Sequence, residues 1–335
     1  MHMSDALLSP MVGAAMWGAT VVVSARCIAK VRGEDDDRCV PLMGVLGAFV
    51  FAAQMVNFSI PGTGSSGHLG GGVLLAILLG PHAAFLVMAS VLAIQALFFA
   101  DGGLLALGCN AFNLGFFAIF VAYPLVYRPI AGSQRTRTRV MAGGIAASVV
   151  ALAFGALAVV IETTLSGVSS LPFRPFVLLM LPLHLAIGLV EGVVTASVVA
   201  VLQRERPELV GQGTVSVGRL RPILITIAVA AALTGGVLSW FASAHPDGLE
   251  WAVARTARAR PATTVPTSAH ALLRRLQGRT AILPEYGLPG DERVRVAGAW
   301  PQVKGATSVS GVVGGGLTFG LAVVVGASIR RFRRR

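Results

Sequence analysis

Long apolar runs with at most one charged residue each, separated by short polar or basic segments, dominate the chain. A helix of about twenty apolar residues crosses the hydrocarbon core of a bilayer, so each run near that length predicts a membrane-spanning helix. Such runs lie at 11–28, 42–58, 140–161, 175–202, 222–241 and 309–327. The pattern predicts an all-α, polytopic membrane bundle.

The segment from residue 69 to residue 127 is also apolar but too long for one helix. Three spans of about twenty residues fit into it, with breaks near Gly80-Pro81 and Asp101-Gly102-Gly103. One crossing plus a re-entrant pair is the alternative, and it would bring the chain to the same side of the membrane as three crossings do. With three spans here, the chain has about seven transmembrane helices before residue 205 and two after it.

Positive charge marks the cytoplasmic side. Lys and Arg are concentrated in the short segments 30–38 and 128–139 and among the last six residues, and short basic loops stay in the cytoplasm. This rule predicts an outer N-terminus, an outer loop at 59–72 and a cytoplasmic C-terminus. The long polar segment 242–308 is then also outside, where its arginines do not contradict the rule because long loops are translocated largely regardless of charge.

Composition narrows the class of protein further. Hydrophobic residues make up 55% of the 335 residues and charged residues 13%, which excludes an ordinary soluble domain. The formal net charge of +12 lies mostly in the loops that orient the chain, so it indicates contact with the lipid bilayer and not nucleic-acid binding. The isolated Cys27, Cys39 and Cys109 predict buried thiols and no disulfide framework.

A shift to charged composition at 203–221 suggests two modules. We expect residues 1–205 to form a membrane domain that binds the substrate. Residues 206–335 then form a smaller module of two transmembrane helices that bracket an outer stretch.

The chain starts with Met1-His2, and a glycine-rich loop carries His68. The Met1 amine, the His2 amide nitrogen and the His2 imidazole can form two fused chelate rings around one metal ion, which forces these donors into a plane. His68 can complete a square of four nitrogens, the arrangement that suits Ni(II) or Cu(II). A signal peptide would be cleaved and the site lost, but no Lys or Arg precedes Arg26, so cleavage is not expected. The sequence therefore predicts a metal site at Met1, His2 and His68.

Five further polar residues lie in or beside apolar runs. His184 and Glu191 are seven residues apart and therefore lie on one helix face. Three roles are open for them: a lock, in which hydrogen bonds of the two side chains fix the helix packing; support of the metal ligands; or binding of metal in transit. One His and one Glu make a poor closed metal site, which favours the lock. Asp101 precedes two glycines and is expected to cap a helix at a break between spans. Asn110 and Asn113 either bond neighbouring helices or support the loop near the metal.

Four motifs in this order resemble the CbiM/NikM family, the nickel- and cobalt-binding components of energy-coupling-factor transporters. They are Met1-His2-Met-Ser-Asp-Ala-Leu-Leu-Ser-Pro10, Gly67-His68-Leu-Gly-Gly71, Gln95-Ala-Leu-Phe-Phe-Ala-Asp101-Gly-Gly-Leu-Leu-Ala-Leu-Gly-Cys-Asn110 and His184-Leu-Ala-Ile-Gly-Leu-Val-Glu191. The heptapeptide His245-Pro246-Asp247-Gly248-Leu249-Glu250-Trp251 resembles the accessory subunit of NikN type, fused here into one chain.

The resemblance implies a subunit that captures Ni(II) or Co(II) outside a bacterial or archaeal cell membrane. In relatives the terminal amine, the second residue and the loop histidine hold the metal, which corresponds here to Met1, His2 and His68. The sequence contains no Gly-x-x-x-x-Gly-Lys-Ser/Thr loop for nucleotide phosphates. Uphill transport therefore requires a transmembrane coupling protein and cytoplasmic ATPases, as the resemblance implies.

Two other function classes fit a polytopic membrane protein. An ion-coupled secondary carrier needs several acidic groups within the membrane, for which only Asp101, Glu162 and Glu191 are candidates, and no internal repeat is evident. A membrane metalloenzyme needs an open coordination position and a general base, which a planar four-nitrogen site does not provide. The sequence favours a transporter subunit without its own ATPase, and square-planar nitrogen coordination favours nickel over cobalt.

Overall fold

The structure is a computed structural model that describes residues 1–33, 38–133, 136–169, 171–205, 217–259, 267–288 and 300–333. These residues form α1 (Pro10–Gly33), α2 (Cys39–Gln54), α3 (Gly72–Leu79), α4 (Pro81–Phe99), α5 (Leu107–Ala131), α6 (Arg137–Ser166), α7 (Phe173–Glu205), α8 (Val217–Gly236), α9 (Gly248–Ala259), α10 (Ser268–Thr280) and α11 (Gly305–Arg333). A short antiparallel pair, β1 (Phe58–Ile60) and β2 (Ser65–Gly67), lies between α2 and α3. The module boundary expected between residues 205 and 206, and parts of the basic loops at 34–37 and 134–135, lie outside the described residues.

The predicted all-α, polytopic membrane fold is confirmed. Among the described residues, α1, α4, α5, α6, α7 and α11 are long and apolar enough to cross a membrane. The helix α2 and the apolar part of α8, Arg221–Gly236, are shorter apolar helices.

The segment from 69 to 127 differs from the three full spans expected for it. Its breaks fall where predicted, since Gly80, at φ +75°, separates α3 from α4 and Pro81 begins α4. However, α3 has only eight residues and rises about 12 Å, too little for a full crossing. The chain before α3 has already entered the bundle, because Ser65, Ser66 and His68 are buried. A buried loop therefore replaces the first half of the expected span.

Small residues bring the helices of the first module together. On α7, a Cβ added to Gly188 would lie 2.8 Å from Cα of Val149, and one added to Gly192 would lie 2.5 Å from Cα of Ile145 on α6. Such close approach of two backbones needs glycine and is typical of helices packed within membranes. The pair α6 and α7 thereby forms one wall of the bundle, and α7 carries both His184 and Glu191.

The helices after residue 216 pack against the first module. On α2, a Cβ added to Gly44 would lie 2.7 Å from Cγ2 of Val323 on α11, and α8 also contacts both of these helices. Between α8 and α11, the described residues 237–259 and 267–288 contact the end of the bundle that holds Met1. There, Gln277 of α10 donates to the carbonyl oxygens of Ala96 and Gly102.

Candidate metal centre

The amino terminus is buried inside the bundle. Met1 is 4% exposed, and its terminal nitrogen lies 3.1 Å from Nε2 of His68 and 2.9 Å from Oδ2 of Asp247. The ammonium donates to both atoms and forms an ion pair with Asp247. A terminus that is usually mobile is thus fixed by one imidazole and one carboxylate.

The hydrogen bonds of His68 determine which of its nitrogens faces Met1. Its Nδ1 lies 3.0 Å from the carbonyl oxygen of Leu69, and because a carbonyl only accepts, Nδ1 carries the hydrogen. In the neutral ring, Nε2 therefore has a free electron pair directed at the terminal nitrogen. A metal ligand has the same tautomer, with one ring nitrogen held by a carbonyl and the other available.

The loop that carries His68 is held from α7 and α2. The two carboxylate oxygens of Glu191 accept hydrogen bonds from the amides of Gly70 (2.7 Å) and Gly71 (3.0 Å). Gln54 donates to the carbonyl oxygen of Gly70 at 2.8 Å. Gly71 has φ +80°, a backbone conformation that favours glycine, and this turn starts α3. The loop is therefore positioned by buried polar groups on both sides.

The two imidazoles lie against each other. The rings of His2 and His68 are stacked, with centroids 5.0 Å apart and planes 15° apart. Nδ1 of His2, the atom that would share a chelate with the His2 amide, lies 3.4 Å from Oδ1 of Asp101. Its Nε2 is buried and has no hydrogen-bond partner within the described part of the chain. The geometry brings together the three residues that the sequence predicts as ligands.

Asn110 and Asn113 fix the residue that follows His2. The side chain of Asn110 accepts from the amide of Met3 at 2.7 Å and donates to its carbonyl oxygen at 3.2 Å, as a neighbouring strand would. Asn113 donates to Glu162 at 2.7 Å and contacts the sulfur of Met3 at 3.7 Å. Of the two interpretations left open by the sequence, both asparagines contact the N-terminal segment, and Asn113 also joins two helices.

Asp101 does not act as the simple helix cap expected from its two following glycines. One of its oxygens lies near the ring of His2, and the other accepts from the hydroxyl of Tyr286 at 2.5 Å. Its own amide does close α4, by donating to the carbonyl oxygen of Gln95. The carboxylate thus links the N-terminal segment to Tyr286, which lies between α10 and α11.

The expected lock between His184 and Glu191 is not formed. Glu191 binds the loop glycines, and Nδ1 of His184 instead donates to the carbonyl oxygen of Met180 at 2.8 Å. Residues seven apart share a helix face, but they are two turns, about 10 Å, from each other along the axis. Each side chain therefore finds its own partner.

Asp247 is the residue at this site that sequence reasoning missed. A parallel bridge joins it to Ser66, whose amide donates to the carbonyl oxygen of Pro246 at 2.8 Å. Its Oδ1 caps α9 by accepting from the amide of Glu250, which leaves Oδ2 for the Met1 ammonium. The signal was present in the heptapeptide from His245 to Trp251, but nothing in the sequence shows that it meets residue 1.

Electrostatics at the site favour neutral imidazoles beside a charged carboxylate. Burial lowers the pKa of His68 well below its ordinary value, and the terminal ammonium adds to this effect. Burial also lowers the pKa of His2, although Asp101 opposes the shift. Burial alone would raise the pKa of Asp247, but the ammonium and the Glu250 amide outweigh it and lower that pKa. At neutral pH both imidazoles are therefore unprotonated and Asp247 is ionised.

The donor set that this arrangement offers depends on the main chain. Across the described residues, no three His, Cys, Asp or Glu side chains cluster in a way that could hold a metal ion. The Met1 nitrogen lies 3.1 Å from Nε2 of His68, and the His2 ring is stacked on the His68 ring, so the available donors are main-chain nitrogens and two imidazoles. A metal ion bound here by four nitrogens would take two of them, the terminal amine and the His2 amide, from the main chain.

The fold and this site define a multi-pass membrane protein of the transporter class. The family described as "Cobalt uptake substrate-specific transmembrane region", CbiM, matches residues 2–209, and the PDGLE domain matches residues 221–331. The chain belongs to the CbiM family, fused to an accessory module of NikN type, and is a transport protein rather than an enzyme.

Named relatives agree with this assignment. The chain is 36% identical over 222 residues to the fused nickel transport protein NikMN of Rhodobacter capsulatus, covering 62% of this chain and 63% of that protein. It is 31% identical over 229 residues to the cobalt transport protein CbiM of Sorangium cellulosum, covering 66% and 99%. The crystal structure of a transition metal transporter is similar at a TM-score of 0.52, with 35% identity and coverage of 61% of this chain and 93% of that one.

Proposed function

We propose that this chain is the substrate-binding component of an energy-coupling-factor transporter, which captures Ni(II) or Co(II) outside a bacterial or archaeal cell membrane for ATP-driven uptake. The single observation that carries the proposal is the 3.1 Å approach of the Met1 nitrogen to Nε2 of His68, with the ring fixed in the metal-binding tautomer. The names of the relatives supply nickel and cobalt as the transported metals.

Four nitrogens in a plane select the metal. Chelation by the Met1 amine and a deprotonated His2 amide creates a strong planar field, from which Ni(II) gains more than Co(II). We therefore favour nickel as the substrate. Asn110 is engaged with the backbone of Met3, and the side-chain nitrogen of Asn113 contacts the Met3 sulfur and donates to Glu162, so we do not count these groups among the metal ligands.

Asp247 keeps the buried site electrically balanced. Without metal, the charge of the Met1 ammonium cancels that of the Asp247 carboxylate at 2.9 Å. When a divalent ion binds, the ammonium and the His2 amide each lose a proton. The two positive charges of the ion are then balanced by the negative charges of the His2 amide and the Asp247 carboxylate. The sum is zero in both states, which avoids the high cost of an uncompensated charge in a buried site.

Transport against a gradient requires an ATPase and a coupling protein. No phosphate-binding loop is present in the sequence, so nucleotide hydrolysis falls to separate cytoplasmic subunits. A surface for the coupling protein is available on α1, where Ala14, Ala15 and Gly18 are exposed in this chain. Small residues at these positions allow another helix to approach closely.

Uptake assays test the proposal against the secondary carrier. Right-side-out vesicles from cells that express the chain with its coupling partners, loaded with ATP, are expected to accumulate radioactive nickel, and a protonophore should not prevent this. Vesicles loaded with a non-hydrolysable ATP analogue are the control and should accumulate none. Uptake that proceeds with the analogue but stops with the protonophore would identify an ion-coupled carrier.

Proton release tests the proposed ligands directly. Binding of one Ni(II) ion near pH 7 should release about two protons, one from the terminal ammonium and one from the His2 amide. The imidazoles should add almost none, because burial lowers the pKa of both His2 and His68 and leaves them unprotonated. Calorimetric titration in buffers with different ionisation enthalpies measures this number. Release of about one proton or fewer would mean that the amine and the amide are not both ligands.

A further inference from the structure

A third histidine, His184, lies beside the candidate metal centre and has an unused nitrogen. His184 is 1% exposed, and its Nδ1 donates to the carbonyl oxygen of Met180. In the neutral ring, Nε2 therefore has a free electron pair, yet no atom of the described residues forms a hydrogen bond with it. A buried polar atom without a partner is costly, so a ligand is the natural explanation for its position.

This nitrogen lies at a cavity shared with the proposed ligands. The cavity is small, about 10 Å³, and His184 lines it together with Met1, His68 and Asp247. A Cβ added to Gly248, the residue after Asp247, would lie 3.1 Å from Cε1 and 3.4 Å from Nε2 of His184. The backbone that carries Asp247 therefore contacts the edge of the His184 ring.

We infer that Nε2 of His184 and the carboxylate of Asp247 form a second, weaker position for a divalent transition metal ion, through which the planar site is loaded and emptied. The inference rests on the proposed function, because it takes Met1, His2 and His68 as the final ligands. It assigns His184, on α7 of the first module, and Asp247, in the second module, to one metal position.

The chemistry of the two groups suits a transfer position. Imidazole and carboxylate both bind Ni(II) and Co(II), and this position offers two protein donors where the planar site offers four. Such a site holds the ion less tightly than four nitrogens do, so the ion can leave it. The Asp247 oxygen that pairs with the ammonium is released when the amine binds metal, and it is then free to contact the same ion.

Stepwise exchange explains why a transfer position is useful. An ion in a planar chelate cannot leave in one step without losing every nitrogen ligand at once. A neighbouring imidazole and carboxylate can take over coordination while the amine and the amide regain their protons. His184 is therefore expected to change the rate of loading and release more than the affinity of the planar site.

The first test removes the planar site and looks for the second one. In the full chain in detergent, two residues added before Met1 convert the terminal amine to an amide. This extended chain should still bind about one Co(II) ion, roughly 100-fold more weakly than the parent chain. Within it, His184→Gln and Asp247→Asn should each weaken the remaining binding by about tenfold or more, as loss of a ligand requires.

His82→Gln is the matched control, since His82 lies at the end of α4 opposite Asp101, and it should leave this binding unchanged. Visible absorption of Co(II) reports on the ligands. Residual binding that is indifferent to both site variants, or no residual binding in a chain that remains folded by size exclusion, would overturn the inference. An extended chain that binds as tightly as the parent would instead overturn the proposed function.

The second test uses chains with an unmodified N-terminus, in which the planar site is intact. His184→Gln should slow both loading and release of Ni(II) by about tenfold and change the equilibrium affinity by less than about threefold, since a transfer position leaves the end states unaltered. Stopped-flow mixing with a metal indicator measures the rates. Unchanged rates would contradict a transfer role, and a large loss of affinity with unchanged release would make His184 an ordinary ligand.

Discussion

Two residues added before Met1 are expected to lower the affinity for Ni(II) by about 10²- to 10⁴-fold. The extension converts the terminal amine into an amide and removes the ring that tethers it to the His2 nitrogen, and tethering of donors contributes gains of that order. The Met1 nitrogen contacts His68 and forms an ion pair with Asp247, and an uncharged amide at this position can no longer form that ion pair. Equilibrium dialysis of the purified chain against Ni(II) measures the change.

The number of added residues matters for this experiment. One added residue would make His2 the third residue, where an amine, two amides and the imidazole of the new terminus can surround a metal ion by themselves. Two residues move the histidine beyond that spacing. The same two residues placed at the C-terminus are the control, and their affinity should equal that of the parent. Tight binding by the extended chain would show that the terminal amine is not a ligand.

The sequence predicted the meeting of Met1, His2 and His68 because the evidence for it is mostly local. The positions of Lys and Arg orient the first two spans, and two crossings return the chain to the side where it began. The chelating capacity of an amine, an amide and an imidazole follows from adjacency in the chain. Neither step requires knowledge of how the helices pack.

The remaining features depend on tertiary contacts that no local pattern carries. Nothing near Glu191 indicates that its carboxylate accepts from the amides of Gly70 and Gly71, 120 residues away. Similarly, an apolar run has the same composition whether it spans the membrane or, as for α3, continues from a loop already inside the bundle. The periodicity of a sequence predicts which face of a helix is buried, but it does not predict which residues elsewhere in the chain contact that face.

The second module is the clearest example of such a tertiary contact. Asp247 pairs with the Met1 ammonium, Nε2 of His270 donates to the carbonyl oxygens of Asp5 and Leu8, and Tyr286 donates to Asp101 beside His2. Residues that the sequence presents as a polar outer segment thus hold the N-terminal segment directly at two points and, through Asp101, at a third. Fusion of the two modules in one chain keeps these contacts at a fixed ratio, so we expect the accessory module to help position the proposed ligands.

His68→Ala is expected to lower the Ni(II) affinity by at least about 100-fold. Substitution of a residue that only supports a ligand already reduces metal affinity about 10- to 100-fold, and this change removes the fourth nitrogen itself. Water can take the vacated position, but the planar field weakens and the preference for Ni(II) over Co(II) should fall with it. Parallel titrations with both metals measure affinity and preference together, and His82→Ala provides the control because its ring contacts Phe120 and not the site.

Glu191→Gln tests the same ligand through the loop that positions it. The carboxylate accepts from two amides, whereas a carboxamide of the same shape presents one acceptor and one donor, so one of the two hydrogen bonds must be lost. The loss of one buried hydrogen bond costs about 1–3 kcal/mol, which corresponds to a reduction in affinity of about tenfold or more if the loop position is what the metal requires. An affinity equal to that of the parent would mean that metal binding by His68 does not depend on Glu191. An affinity that falls from the parent to Glu191→Gln and falls further in His68→Ala would show that metal capture depends on the position of the His68 ring.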